Sequence, residues 1–345
     1  MAGRPGTSPR ARRVTVDDVA AQAGVSQATV SQVLGGSRPV SQATREKVLE
    51  SIQTLGFRPN QLARSLRRER SQSIAFVVPN IMHEVYPAVA RGIGEVVRPL
   101  GYQVAIYDTD NDRATERHVI HTVGDRMTDG MIAFGFRLHD ADLRTLDAQG
   151  IVTVNGGFTG RPPGACDSVQ VSQDEAFRDA VLTLGARYRG PIAHIGGPRG
   201  HSTAPIREAG FRAGMAAGGF RLDEALVIAA SEYSAVGGRD ALTELLGRAA
   251  APPRLVICAN DLLAIGAISA AVTRGLRVPE DIAISGYDNI PVSEALTPPL
   301  TTMDAFQFEQ GRTCARLMLE RLAGDYTESA RHVVMPARLI ERASA

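Results

Sequence analysis

The sequence has no tryptophan, a single lysine (Lys47) among its 38 basic residues, and only three cysteines. Cys166, Cys258 and Cys314 lie far apart and form neither a CxxC motif nor a metal-ligand spacing. This pattern excludes a disulfide framework, favours a reducing compartment and predicts three buried, inert thiols. We predict no metal site and no cofactor.

Long apolar runs are also missing, since none approaches the roughly 20 residues that a membrane span needs. Residues 1–13 contain arginine, glycine and proline, but an amphipathic pattern follows them in place of the apolar core of a signal peptide. We therefore expect a disordered basic leader on a cytoplasmic protein.

Catalytic motifs are absent as well. There is no GxSxG, HExxH or P-loop, and no GxGxxG that opens a helix after a strand. His118 and His121 stand at i, i+3 on a predicted helix without cysteine or a carboxylate pattern nearby, which favours surface histidines. The sequence predicts that this protein is not an enzyme.

Charge is unevenly distributed along the 345 residues. Residues 1–70 carry 12 basic and 5 acidic side chains, whereas the remainder carries 26 against 32. A basic module that contacts phosphates, joined to a larger acidic-to-neutral body, gives this asymmetry. The length accommodates one small module and a two-lobed body.

The basic module contains three short helical patterns within residues 14–58. The first begins at Thr15, which forms a predicted capping box with Asp18, and ends at Gly24. Its apolar residues recur at helical spacing: Val16, Val19, Ala20 and Ala23. The third is capped by Ser41 and is buried through Val48, Ile52 and Leu55.

The second pattern begins at Ser26 and turns Val30, Val33 and Leu34 inward. Its opposite face carries Gln27, Ala28, Ser31 and Gln32. Two helices joined by Gly24-Val25-Ser26 form a helix-turn-helix, whose second helix can enter a major groove. Three helices could also form an ordinary bundle with a polar surface, but the flanking basic residues favour phosphate binding.

After Ser73 apolar runs alternate with amphipathic stretches that end in glycine. This alternation predicts an α/β fold of two doubly wound parallel lobes, with a ligand cleft at the carboxyl ends of the strands. The predicted strands are Ile74–Val78, Gln103–Tyr107, Met131–Phe136, Ile151–Val154, Ser168–Val171, Pro191–Ile195, Ala225–Ala230, Leu255–Cys258 and Ile282–Ser285.

The segments VTVDDVAAQAGVSQATVSQVL and VSQATREKVLESIQTLGFRPNQLARSL resemble the headpiece of the lactose/galactose repressor family, and the resemblance extends to about residue 340. It implies an all-α headpiece on a periplasmic-binding-protein-like body. It also implies a hinge helix over 59–66 that enters the minor groove, with Leu66 as an apolar wedge and Ala63 allowing close approach. A helix shorter than about 12 residues is marginal in water, so this one should form on DNA.

The DNA-binding candidates that follow are Thr15, Ser26, Gln27, Ala28, Thr29, Ser31, Gln32, Asn60, Ala63 and Leu66. One of them departs from the family, which commonly has arginine at the position of Gln32. Arginine pairs with guanine and glutamine with adenine, so we hypothesise a half-site that differs at this base pair.

The resemblance also implies a ligand site between the lobes, formed by Asn80, His83, Tyr86, Asn155, Arg207, Tyr233, Asn260 and Asp288. Arg207 and Asp288 can donate to and accept from adjacent hydroxyls, and Tyr233 can stack on a sugar or base. Asn260 could equally be the N-cap of the following helix. His83-Glu84-Val85 departs from the Asn-Pro-Phe that is usual in the family.

The predicted domains are a leader (1–13), a helix-turn-helix domain (14–58), a hinge helix and linker (59–70) and a ligand-binding and dimerisation body (71–345). Within the body we expect lobe 1 at about 71–171 plus 303–331 and lobe 2 at about 172–302 plus 332–345. These features predict a transcriptional repressor that binds a near-palindromic DNA operator as a homodimer, because no heptad segment is present at the end of the sequence.

The expected effector is a sugar or polyol, and a purine or nucleoside is the alternative. A stand-alone solute-binding module is less favoured, because the headpiece is intact and no signal peptide is present.

Overall fold

A computed structural model describes residues 14–35, 40–57, 71–135, 138–157, 166–249 and 251–345. The chain divides into two compact units, Met1–Ser71 and Gln72–Ala345. In the described part of the chain, no helix is both long and apolar enough to cross a membrane.

The first unit contains helices α1 (Val16–Ala23), α2 (Gln27–Gly35) and α3 (Gln42–Leu55). The predicted capping box begins α1: Thr15 Oγ1 accepts from the Asp18 amide at 3.3 Å, and Asp18 Oδ2 accepts from the Thr15 amide at 2.8 Å. Gly24 ends α1 with φ 65°, a conformation that glycine adopts without strain. The core consists of Val19, Ala20, Ala23, Val30, Val48 and Phe57. The sequence reasoning did not anticipate Phe57.

The second unit contains two parallel sheets, and each is covered by helices on both faces. Its first sheet has the strand order β11-β5-β4-β3-β1-β2. These strands are β1 (Ser73–Val78), β2 (Gln103–Asp108), β3 (Gly130–Phe134), β4 (Val152–Gly156), β5 (Asp167–Val171) and β11 (His332–Met335). The helices of this lobe are α4 (Val85–Val97), α5 (Arg113–Thr122), α6 (Asp140–Ala148) and α12 (Gln307–Ala323).

The second sheet has the order β7-β6-β8-β9. Its strands are β6 (Ile192–Gly196), β7 (Val227–Ala229), β8 (Leu255–Cys258) and β9 (Ala283–Ser285). The helices of this lobe are α7 (Gln173–Arg187), α8 (Ala204–Ala217), α9 (Ala235–Arg248), α10 (Asp261–Thr273) and α11 (Val292–Ala295). A separate antiparallel pair joins β10 (Thr302–Asp304) and β12 (Arg338–Ile340). The predicted α/β architecture is confirmed.

The boundaries between the lobes differ from the prediction at two places. His332–Met335 was assigned to lobe 2, but these residues pair in parallel with β5 in the sheet of lobe 1. Met303 was assigned to lobe 1, but its side chain packs in the core of lobe 2. The chain therefore crosses between the lobes at 171–173, 304–307 and 335–338.

Helices α4 and α12 approach each other closely through glycine. A Cβ atom on Gly92 would lie 2.0 Å from the Phe308 carbonyl oxygen, and one on Gly311 would lie 2.2 Å from the Val89 carbonyl oxygen. Only glycine permits this backbone contact. This contact packs α12, which begins at the end of the crossing at 304–307, against α4, the first helix of lobe 1.

Candidate functional site

The second helix of the headpiece is held by a cap that uses two of the predicted DNA-binding residues. Ser26 Oγ accepts from the Thr29 amide at 3.1 Å, and the two hydroxyls lie 2.9 Å apart. Thr15 is similarly engaged with Asp18. These three side chains therefore fix the helix starts, where backbone N–H groups can meet phosphate.

The two faces of α2 separate in part, since Val33 and Leu34, which are predicted to face inward, are only partly buried against the headpiece core. Val30 is fully buried, while Gln27 and Ala28 are exposed and Ser31 and Gln32 are partly exposed. This leaves a mainly polar helix face, and a major groove is wide enough to admit an α-helix. Asn60, Ala63 and Leu66 lie outside the described residues.

In the second unit, Arg207 and Asp288 form the centre of the candidate ligand site. Arg207 is buried, and its guanidinium donates from Nε to Gln173 Oε1 at 2.7 Å and from Nη1 to the Ala259 carbonyl at 2.7 Å. Its Nη2 lies 3.9 Å from Asp288 Oδ1. The Tyr287 ring stacks beneath the guanidinium at 4.3 Å. The buried cation is thereby held in one orientation beside a carboxyl group.

Burial dominates the electrostatics of this site. Burial raises the pKa of Asp288 to about 8. The charge of Arg207 acts to lower this pKa, and the charge of Asp261 acts to raise it further. Burial, together with Arg207 and His201, lowers the pKa of His83 to about 4. At neutral pH the imidazole of His83 is therefore uncharged, and Asp288 can exchange a proton near physiological pH.

Aromatic rings from the two lobes meet near this pair. The His83 ring of lobe 1 lies edge-on to the Tyr233 ring of lobe 2 with 6.3 Å between centroids, and 5.8 Å from Tyr86. The Tyr233 hydroxyl is 3.0 Å from Thr203 Oγ1, and the rings of His201 and Tyr233 form a T-shaped pair with 4.9 Å between their centroids. His83 and Tyr233 thus bring a side chain from each lobe together beside Arg207.

Three predicted side chains keep unused hydrogen-bonding groups. Asn155 is fully buried near the end of β4, and neither of its amide atoms has a partner in the described part of the chain. Asn260 Oδ1 caps α10 by accepting from the Leu263 amide at 2.9 Å, but its Nδ2 has no partner there, and neither does His83 Nδ1. Buried polar groups are normally paired, so these atoms are suited to a ligand.

Asn80 has a different local role. Its Oδ1 accepts from the Met82 amide at 2.9 Å, and its carbonyl accepts from the His83 amide at 3.1 Å. The side chain therefore shapes the turn that presents His83.

Sequence reasoning missed Gln173, His201, Thr203 and Tyr287. It also missed Asp261, a fully buried carboxylate that accepts from the Ile290 amide at 2.9 Å and the Ser293 hydroxyl at 2.6 Å. Asp261 thereby holds the loop that follows Asp288. Tyr287 could have been found from its place beside Asp288 after β9, but the others carry no local signal.

Comparisons with known proteins match both units. A model described as bacterial regulatory proteins of the lacI family matches residues 15–60, and a periplasmic binding protein-like domain matches residues 179–345. The HTH-type transcriptional regulator CelR of Thermobifida fusca is 33% identical over 341 residues, which is 97% of this chain and 99% of the relative. The HTH-type transcriptional repressor CytR of Escherichia coli K12 is 32% identical over 96% of both chains.

Solved structures show the same architecture. The Lac repressor dimer bound to operator and an anti-inducer has a TM-score of 0.85 at 26% identity, covering 96% of this chain and 99% of that one. A CelR–cellobiose complex has a TM-score of 0.72 at 30% identity, covering 96% and 100%. A helix-turn-helix unit followed by this two-lobed body defines a ligand-responsive, DNA-binding transcriptional regulator. The chain belongs to the LacI family of bacterial regulatory proteins.

Proposed function

We propose that this regulator binds a sugar or polyol in the cleft around Arg207 and Asp288, and that occupancy changes its affinity for a DNA operator. The observation that carries the proposal is a buried, oriented guanidinium beside a carboxyl group, with polar atoms on Asn155 and Asn260 that have no partner among the described residues. The CelR relative, whose solved structure is a cellobiose complex, supports this class of effector.

The chemistry of the site suits neighbouring hydroxyl groups. Arg207 donates through Nη2, the carboxyl group of Asp288 accepts when it is ionised, and an asparagine amide can do both. The Tyr233 ring provides a flat apolar face for a sugar ring. His83 extends from the opposite lobe, so a ligand that separates or replaces the His83–Tyr233 contact would shift the orientation of the lobes.

A purine or nucleoside is the second candidate effector. The rings of His83, Tyr86 and Tyr233 favour it, since two tyrosines and a neutral imidazole in one cleft can stack on a base. Asn155 offers a free donor and a free acceptor, which is the pattern that pairs with a base edge.

A thermal-shift screen tests the effector site. Cellobiose, ribose, sorbitol and adenine are added to the full chain, and an effector at 100 times its dissociation constant should stabilise the fold by about 2.7 kcal/mol. Arg207→Met and Asp288→Asn should abolish the shift, whereas Arg239→Met, an exposed arginine on α9, should retain it. A shift that survives both site substitutions would place the ligand elsewhere.

We propose that Gln27, Ala28, Ser31 and Gln32 read the major groove. Thr15, Ser26 and Thr29 would place the helix starts against phosphates. A homodimer would use two copies of this surface on a near-palindromic operator, an assembly supported by the Lac repressor dimer that the fold matches. Contact of Asn60, Ala63 and Leu66 with the minor groove remains a prediction from the resemblance.

Gel retardation on operator variants tests the role of Gln32. Gln32→Ala should lose discrimination at one base pair, by about 1–3 kcal/mol, while binding to other variants keeps its order. Gln53→Ala, on the exposed face of α3, should leave the ranking intact. An unchanged ranking in Gln32→Ala would remove Gln32 from the readout. DNA affinity should also fall steeply with salt, and no binding at any salt would contradict the regulator function.

A further inference from the structure

Two glutamines lie at segments where the chain crosses between the lobes. Gln173 is the first residue of α7 and follows β5 of lobe 1 by two positions. Gln307 is the first residue of α12 and follows β10, which lies with lobe 2. Each side chain bonds to one half of the Arg207–Asp288 pair.

Gln173 acts within lobe 2. It is buried, and its Oε1 accepts from Arg207 Nε at 2.7 Å. Both α7 and α8, which carries Arg207, pack on the sheet of lobe 2. This bond therefore orients the guanidinium but does not join the lobes.

Gln307 joins the two lobes. Its Nε2 donates to the backbone carbonyl of Asp288 at 2.6 Å. Helix α12 packs against α4, β4 and β5 of lobe 1, whereas Asp288 follows β9 of lobe 2. Asp288 also has a φ of 113°, which is rare for a residue other than glycine. A shift of its peptide groups would turn the Cα–Cβ bond and so move its carboxyl group.

We propose that Gln307 is a positioning residue that couples the placement of Asp288 to the relative orientation of the two lobes. A movement of α12 with lobe 1 pulls on the Asp288 carbonyl, and a displacement of Asp288 by an effector acts back on α12. For the coupling to exist, this hydrogen bond must be stronger in one orientation of the lobes than in another. Thermodynamic linkage then makes the coupling reciprocal. This inference rests on the proposed function, in which Asp288 contacts the effector.

The two glutamines permit a matched pair of isosteric substitutions. Gln173 is used as an acceptor, so Gln173→Glu keeps its bond to Arg207 and strengthens it by charge. Gln307 is used as a donor, so Gln307→Glu replaces the donor with an oxygen that faces a carbonyl. Gln307→Met removes the donor without adding charge. The same chemical change should therefore be tolerated at one crossing and disruptive at the other.

Distance measurements between spin labels test the proposal without any effector, so the failure of every compound in the effector screen would not affect it. Labels are placed at His118→Cys on α5 and Asp240→Cys on α9, both exposed, and the three native cysteines are buried. Gln307→Glu and Gln307→Met should shift or broaden the interlobe distance distribution, while Gln173→Glu should retain the parent distribution.

Melting temperature is measured on the same samples, because a merely structural role would lower it and leave the distances of the folded protein unchanged. A parent-like distribution in both Gln307 variants overturns the proposal. An equal shift in Gln173→Glu overturns it as well. In operator binding, the loss of one ordinary hydrogen bond should change the affinity of Gln307→Met by roughly threefold to tenfold.

Discussion

Replacing Asp167 with alanine should detach the edge of the first sheet, because this buried carboxylate holds two arginines. Asp167 begins β5 and is 1% exposed. Its Oδ1 accepts from Arg321 Nη2 at 2.7 Å and from the Arg331 amide at 2.8 Å, and its Oδ2 accepts from Arg331 Nη2 at 2.7 Å. The Tyr326 ring packs on both guanidinium groups. The end of α12 and the start of β11 are thereby tied to β5.

The expected loss follows from what remains after the substitution. Removing one partner of a buried ion pair costs about 3–5 kcal/mol, since the other charge stays without compensation. Here the side chains of Arg321 and Arg331 are 19% and 21% exposed to solvent, so water can solvate part of the charge that loses its partner. We therefore expect a loss of about 2–4 kcal/mol in the free energy of unfolding. Asp167→Asn, which keeps one acceptor oxygen, should lose less.

Urea unfolding and amide hydrogen exchange measure this effect. Asp167→Ala should lower the urea concentration at the unfolding midpoint. It should also speed amide hydrogen exchange at Val333 and Val334 of β11 more than in the other strands of the sheet. Asp147→Ala, an exposed carboxylate on α6, is the control and should change neither. A loss below about 1 kcal/mol, or unaltered protection of β11, would refute this assignment.

A fall in pH should weaken the same ion pairs between Asp167 and the two arginines. Burial alone would raise the pKa of Asp167, but the hydrogen bonds from Arg321 and Arg331 hold it below its usual range. The folded state therefore binds a proton less readily than the unfolded state. The stabilisation is present above the unfolded pKa of about 4 and is lost as the pH falls through the lower folded pKa.

Four further results are expected. Thr15→Ala removes the cap of α1 and should destabilise the headpiece by about 1 kcal/mol, measured by the helical signal on heating, with little effect on the melting of the second unit. Burial lowers the pKa of His194 to about 4, so stability should fall by up to about 3 kcal/mol as the pH drops from 6.5 towards 4, and His194→Gln should flatten this urea-midpoint profile. Because burial raises the pKa of Asp288 to about 8, an effector that binds its ionised form should bind more tightly as the pH rises from 6 to 8; calorimetry on the parent protein measures this slope, and an affinity that stays constant over this range would contradict binding to the ionised form. Gly311→Ala places a methyl group 2.2 Å from a carbonyl oxygen of α4 and should cost at least about 1–3 kcal/mol by urea unfolding, whereas the same change at Gly247, where the added Cβ would meet no atom within 4 Å among the described residues beyond its own helix backbone and chain neighbours, should be neutral or stabilising.

Nine strands could be predicted from sequence because each is an apolar run bounded by turn residues; most of them are buried, whereas β2, at a sheet edge, is exposed or partly exposed throughout. The runs at Ile74–Val78 and Leu255–Cys258, for example, coincide with β1 and β8 to within one residue. The three missed strands lack this signal. β11 alternates in exposure at a sheet edge, and β10 and β12 are three residues long. Their places depend on pairing across more than 30 residues, which no local pattern encodes.

The candidate site was predictable where chemistry and position coincide. Arg207, Asn260 and Asp288 carry distinctive groups at the ends or starts of elements, and the family resemblance drew attention to them. Gln173 gave no such signal, because it matters only through a bond to Arg207, 34 residues away. His201 and Thr203 likewise gain their role from the packing of Tyr233, which only the folded chain brings near.

The backbone at Asp288 opposes the stability of the fold. A φ of 113° is natural for glycine and strained for aspartate, at a cost of order 1–3 kcal/mol, and the buried carboxyl group resists ionisation besides. Asp288→Gly would relieve the backbone strain, but it would also leave the buried guanidinium of Arg207 without its neighbouring carboxyl group and remove the proposed contact to the effector. Backbone stability and the proposed ligand contact therefore place opposite demands on the residue at position 288. The change that relaxes the backbone at this position is also the change that removes the proposed ligand contact.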